Sequence, residues 1–125
     1  MPATKPTLVR AIVGSGEQNS PTGMALQNAT GELYVANAGS SNILAYSSSA
    51  NGKNRPDRTI VSNSPPLINP LAVAVRGSVL YSTSGTSLNG PPSVFVFDAL
   101  KGAQNPNQVV TGSYLSSPVG AALGP

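Results

Sequence analysis

The chain is 125 residues long, about one domain, with seven Lys/Arg against four Asp/Glu and a formal net charge of +3. It contains neither Cys nor His, which excludes disulfides, thiolate chemistry and the commonest general base and metal ligand. Gly (13) and Pro (12) are abundant, yet 39% of residues are hydrophobic, gathered in short bounded runs, and only 9% are charged, the pattern of an all-β protein rather than a disordered chain.

Four basic residues lie close in the sequence pattern, Lys53, Arg55, Arg58 and Lys101. They fall on predicted loops and strand starts with no aromatic beside them, so no nucleic-acid partner is expected. No run approaches the roughly 20 apolar residues of a membrane span, and no membrane partner is expected. The opening MPATKPTLVRAIVGSG lacks the uninterrupted apolar region of a signal peptide, and the sequence sets no compartment.

In chain order, Thr7–Val13 (TLVRAIV) is a short β-branched run ahead of a polar loop, with counterparts in Arg58–Val61 (RTIV) and Gln108–Thr111 (QVVT). It reads as the last strand of a repeat. A Pro-led hexad with alternating small residues follows at Pro21–Leu26, and returns at Pro70–Val75 and Pro118–Leu123. Pro is tolerated where a strand begins, and small side chains suit a strand crowded by its neighbours. Turns at Gly31 and Gly77 then lead into Leu33–Asn37 and Leu80–Ser84, where glycine can supply the positive φ of a hairpin turn. Alternation places Leu33 and Val35 on one face and Tyr34 and Ala36 on the other. The third strands are Asn42–Ser47 and Ser93–Asp98. They are reached by a tight turn in the first copy and by the longer GTSLNGPP in the second. Gly52 with Gly102 and Pro56 with Pro106 mark the turns that close each copy.

Four short antiparallel strands in a unit of about 48 residues is the signature of a β-propeller blade, the alternatives being a solenoid or a sandwich of tandem hairpins. The expected architecture is a partial β-propeller, with two four-stranded antiparallel blades and one flanking strand at each end. Residues 1–20 would be the last-type strand and loop of a preceding blade, 21–61 the first blade, 62–111 the second with its leading loop, and 112–125 the first strand of a third. Leu33, Val35, Ile43, Val73, Val75, Val79, Val94 and Val96 are expected between the sheets.

The motifs PTGMAL, GELYVAN, SNILAY and the NG…RPDRTI run resemble the NHL/YVTN-type bacterial six-bladed propellers, most closely over Pro21–Val61. The second copy departs from that pattern, with STS where YVAN would end. The resemblance implies a fold and a bacterial setting; it implies no particular reaction. Two blades would leave an apolar face open at each end, to be covered by copies of the same chain, three of which would make six blades, or by the remaining blades of a longer one.

The loops entering each first strand and joining second to third would share one face, carrying Glu17, Gln18, Asn19, Asn37, Asn42, Asn63, Asn69, Asn89 and Tyr114. Of these, Glu17, Asn37, Asn42, Asn63, Asn69 and Asn89 are the candidate ligand residues, because an Asn amide offers both donor and acceptor to a peptide or sugar. Turn satisfaction is the plainer role for Asn37 and Asn42. The opposite face would carry Asn28, Glu32, Lys53, Arg55, Asp57, Lys101, Gln104 and Asn105. No catalytic residue, metal ligand or cofactor is expected: Glu17 is the one carboxylate on the candidate face, and the serines have no adjacent base. The sequence thus suggests a non-catalytic scaffold or binding module for a protein or glycan. The other readings are part of a lactonase- or lyase-like propeller enzyme completed by other blades, and a structural segment with no ligand.

Overall fold

The computed structural model describes residues 11–14, 16–85 and 92–111. Among these the chain is nearly all β, built as two antiparallel four-stranded sheets. The first comprises β2 (Pro21–Leu26), β3 (Leu33–Asn37), β4 (Asn42–Tyr46) and β6 (Arg58–Ile60) in that order. The second comprises β7 (Val73–Arg76), β8 (Val79–Ser84), β9 (Ser93–Asp98) and β10 (Gln108–Thr111), again in sequence order. Each is an up-and-down meander, as the repeat predicts. The Pro118–Leu123 copy, and Thr7–Arg10 of the first strand, lie outside the described residues.

Turn chemistry sets the registers. Gly77 at φ 60° and Ser78 form a two-residue hairpin between Arg76 and Val79, and Gly31 at φ 75° serves the longer turn before β3. A side chain at Gly31 would also collide with Ser48, its Cβ landing 2.9 Å away. The second sheet opens later than the first because the Thr83 hydroxyl takes the N–H groups of Leu71 and Ala72 (3.2 and 3.1 Å). With those donors diverted, ladder pairing begins only at Val73.

The sheets pack face to face. Tyr34, Ala36, Ile43, Ala45 and Ile60 of the first meet Val73, Leu80, Phe95, Phe97 and Ala99 of the second in one buried cluster, with Leu67 from the connecting loop. A second, smaller cluster lies on the other side of the first sheet: Val35, Leu44, Tyr46 and Ala50, with Ile12 and Leu33 against it. The first sheet is therefore apolar on both faces.

The expected core needs correction on this basis. Ile43 and Val73 are buried between the sheets, whereas Val35 is buried in the second cluster and Val96 in neither; Leu33, Val75 and Val94 are half-buried and Val79 is exposed. Val79 sits at the hairpin mouth opposite Asp98, and Leu33 belongs to the face turned away from the second sheet. The residues filling the junction are the other alternation set, Tyr34 and Ala36, joined by two phenylalanines.

Residues 52–54, expected as part of a turn, are a strand. β1 (Ile12–Gly14) and β5 (Gly52–Asn54) pair in parallel, Ile12 opposite Gly52 and Gly14 opposite Asn54. The same joint recurs one repeat later, where Val61 pairs in parallel with Ala103 and the Gln104 N–H donates to Val61 O (3.0 Å). The last strand of each repeat thus holds the outer turn of the next.

Where the sheets converge, β2 presses on the segment leading into β7. A Cβ built on Gly23 would stand 2.7 Å from Leu71 O and 3.2 Å from Ala72 Cα, both backbone atoms. Gly23→Ala should therefore cost about 1–3 kcal/mol by forcing the two segments apart. Chemical denaturation of the variant checks this, and a loss below a few tenths of a kcal/mol would mean the segments separate freely.

Candidate functional site

At one end of the first sheet, three polar segments converge on Asn37, the last residue of β3. Its side chain is fully buried and fully used. Nδ2 donates to Glu17 O (3.0 Å) and to Asn42 Oδ1 (2.9 Å), while Oδ1 accepts from the Asn19 N–H (2.6 Å). Backbone bonds from Ala38 N–H to Ser20 O (3.2 Å) and from Gly39 N–H to Asn19 O (2.9 Å) lock the incoming loop onto the β3–β4 turn. That turn is a single 3₁₀ turn, Ala38–Ser40, closed by Ser41 in the left-handed region at φ 53°. The Ser41 hydroxyl accepts from the Asn69 N–H (3.1 Å), which brings in the loop ahead of the second sheet.

The structure accordingly gathers Glu17, Asn19, Asn37, Asn42 and Asn69 at one end. Asn37 is an internal brace there, and Asn42 its acceptor. Asn63 is exposed and stands apart on the 61–69 loop, bridged to Pro66. Asn89 and Tyr114 lie outside the described residues. The Glu17 carboxylate approaches Arg55 Nε at 3.9 Å, with the arginine side chain 83% exposed. The sequence places Arg55 on the opposite face; the parallel β1–β5 pairing instead carries it along the edge toward Glu17. The side chains at the rim of this end, Asn19 and Ser40 among them, are exposed and offer paired amide and hydroxyl groups to a polar ligand. Among the described residues, no group of three or more Asp or Glu side chains stands together.

At the other end lies a network the sequence reading missed. Arg58, at the start of β6, donates from Nη2 to Glu32 Oε2 (3.1 Å) and to the Tyr34 hydroxyl (3.1 Å). Its Nε donates to Ala99 O in the second sheet (3.2 Å). The Tyr34 hydroxyl also contacts Glu32 Oε1 (3.3 Å). Close by in sequence, the buried Gln27 side-chain amide donates to Gly77 O, a second polar tie between the sheets. Both ties are long-range in sequence, so only register and stacking reveal them.

These surroundings move the titrations. Burial raises the Tyr34 hydroxyl above its ordinary value of 10.0, and the Glu32 charge adds to this, against an opposing effect of Arg58. For Arg58, burial works to lower the guanidinium, but the hydrogen bond and charge of Glu32 outweigh it and the net shift is upward. A raised folded-state value means that the neutral phenol is favoured in the fold. Its stability contribution is whole below the unfolded value near 10 and is lost as pH rises through the higher folded value. Thermal stability should therefore fall above about pH 10, and Tyr34→Phe should flatten that fall. An equally steep alkaline decline in the variant would contradict this placement of the hydroxyl.

A cleft of about 480 Å³ opens on the side of the first sheet that faces away from the second. Ile12, Pro21, Met24, Leu33, Val35 and Tyr46 line it, and Gln18 Nε2 donates to the Tyr46 hydroxyl within it (3.0 Å). By the alignment of Pro21 with Pro70, Met24 is the counterpart of Val73. Met24 is 72% exposed, whereas Val73, covered by the first sheet, is 5% exposed.

A scan against protein-family models and a search of curated proteins return no match to this chain.

Proposed function

We propose that the chain is part of a β-propeller and serves as a non-catalytic scaffold or binding module. On this reading the braced Asn-rich end of the sheets recognises a protein or a glycan. The observation that carries the reading is the joint between repeats, met once at Ile12–Gly14 with Gly52–Asn54 and again at Val61 with Ala103. A rule of assembly that holds twice along a chain extends to further repeats, because each unit uses only its neighbours. The Met24–Leu33–Val35 face then awaits the same kind of sheet that covers Val73, supplied by another copy or by further repeats of a longer chain. A rim of amides on a rigid base suits peptide or sugar hydroxyl recognition, since its donors and acceptors are ordered before the ligand arrives.

Solution mass together with Met24 oxidation tests the assembly. The purified chain should run as a discrete oligomer in which peroxide attacks Met24 slowly, or, where the covering repeats belong to a longer chain, should aggregate or unfold without a discrete mass. A sharply melting monomer with fully reactive Met24 would overturn the propeller reading. For the binding part, a glycan and peptide array should show hits that the Asn19→Ala, Ser40→Ala double variant loses while keeping its melting temperature. Hits unchanged in that variant would move the site elsewhere.

A further inference from the structure

The joint between β1 and β5 contains a reactive dipeptide, Asn51–Gly52. Next to glycine, with no Cβ in the way, the backbone nitrogen can close on the asparagine side-chain carbonyl carbon. Here Gly52 has φ 71° and open space where a Cβ would stand, and Asn51 is exposed. Yet both reacting groups are held by a single residue, Ala11, immediately ahead of the neighbouring strand. The Gly52 N–H donates to Ala11 O (2.6 Å), and the Ala11 N–H donates to Asn51 Oδ1 (3.2 Å). A third bond, Asn51 N–H to Asn54 Oδ1 (2.6 Å), fixes the turn from within.

We propose that Asn51 is a spontaneous deamidation site gated by the Ala11 joint, and that its isoaspartyl product opens the joint for good. In the reaction the Gly52 nitrogen gives its proton to solvent base and attacks Asn51 Cγ. The new N–Cγ bond forms as the Cγ–Nδ2 bond breaks, and Nδ2 leaves as ammonia with a proton taken back from water. Water then opens the resulting succinimide at either carbonyl. No oxidant or reductant is involved. Attack requires the Gly52 nitrogen to leave Ala11 O and the Asn51 side chain, tethered to the Ala11 N–H, to turn back onto its own backbone, so the rate follows the fraction of time the joint is open.

The two products differ in what they do to the fold. An aspartyl side chain still offers an oxygen to the Ala11 N–H and leaves the backbone length unchanged. An isoaspartyl linkage runs the main chain through Cγ and adds one backbone atom before Gly52. Gly52–Asn54 then miss their register with Ile12–Gly14. Ile12, which packs on Val35, Leu44, Tyr46 and Ala50, loses its anchor, and the apolar cleft beside it widens. The event is a one-way conversion in which water is the co-reactant.

The test follows the amide-to-acid mass change at position 51 by peptide mapping. The full chain is incubated folded, and in parallel unfolded in guanidinium chloride, in mildly alkaline buffer. Asn89–Gly90 in the same chain calibrates the unfolded rate. Position 51 should react about tenfold or more slowly in the folded chain, the protection a closed local structure gives. Ala11→Pro, which removes the N–H donor and fixes φ at that residue, should raise the folded rate severalfold. Should that variant fail to fold, Ile12→Ala loosens the same joint through packing and should act in the same direction. Equal folded and unfolded rates would overturn the gating. Hydrogen exchange at residues 12–14 should rise in the isoaspartyl fraction and stay unchanged in the aspartyl one; equal exchange in the two would overturn the opening.

Discussion

Replacing Phe97 with Ala is expected to lower the unfolding free energy by about 3–5 kcal/mol. The ring is completely buried and meets Phe95 edge-on, with centroids 5.8 Å apart at 61°. It lies in the cluster that both sheets share, so the cavity would open between layers rather than inside one. Neither layer can collapse into that space without tearing its own ladder. Val79→Ala, at the exposed mouth of the neighbouring hairpin, should cost well under about 1 kcal/mol. Urea denaturation of the two variants measures the contrast. A Phe97→Ala cost as small as that of Val79→Ala would mean that the sheets do not share a core.

The second large effect is expected from Arg58→Ala, about 2–4 kcal/mol. The guanidinium and the Glu32 carboxylate are about four-fifths buried, with side-chain exposures of 22% and 18%. Removing the cation leaves three acceptors with a lost donor: Glu32, the Tyr34 hydroxyl and Ala99 O. Most of the cost is the stranded carboxylate, so Glu32→Gln in the Arg58→Ala background should recover part of it. Arg58→Lys should recover less, because an ammonium cannot reach the carboxylate and the carbonyl with a planar fork. The exposed Arg55–Glu17 pair at 3.9 Å gives a built-in contrast, since breaking it should change stability little. Should Arg58→Ala prove as mild as that, the network would be a surface feature and not a tie between sheets.

What the sequence made legible was periodic and local. Pro21 and the glycines at 31 and 77 mark a strand start and turns through backbone conformation alone, and β2, β3, β9 and β10 begin and end where their residues predict, whereas the strand expected from Pro70 begins only at Val73. Alternation correctly separated Leu33 and Val35 from Tyr34 and Ala36, but a period of two does not say which face meets the next layer. Tyr34 illustrates the difficulty. Its hydroxyl suggests a solvent-facing residue, and it is buried because Arg58 and Glu32 come to meet it. The parallel strand at Gly52–Asn54 was hidden for another reason. Its composition is that of a turn, and it becomes a strand through its parallel pairing with Ile12–Gly14, some forty residues upstream. At the candidate site the spacing of Asn37 and Asn42 was visible, whereas the inward aim of Asn37 depends on Glu17 and Asn19, some twenty residues upstream.

The joint between repeats also bears on how the chain acquires its structure as it is made. Ile12–Gly14 cannot be satisfied until Gly52–Asn54 has been synthesised, and Val61 likewise waits for Ala103. Each closure spans about forty residues and needs nothing further downstream, so a growing chain can complete one unit before the next emerges. Until Gly52–Asn54 has emerged, Ile12–Gly14 presents an unpaired β edge to other chains. Slow translation across either interval would accordingly lengthen the time in which nascent chains can cross-pair.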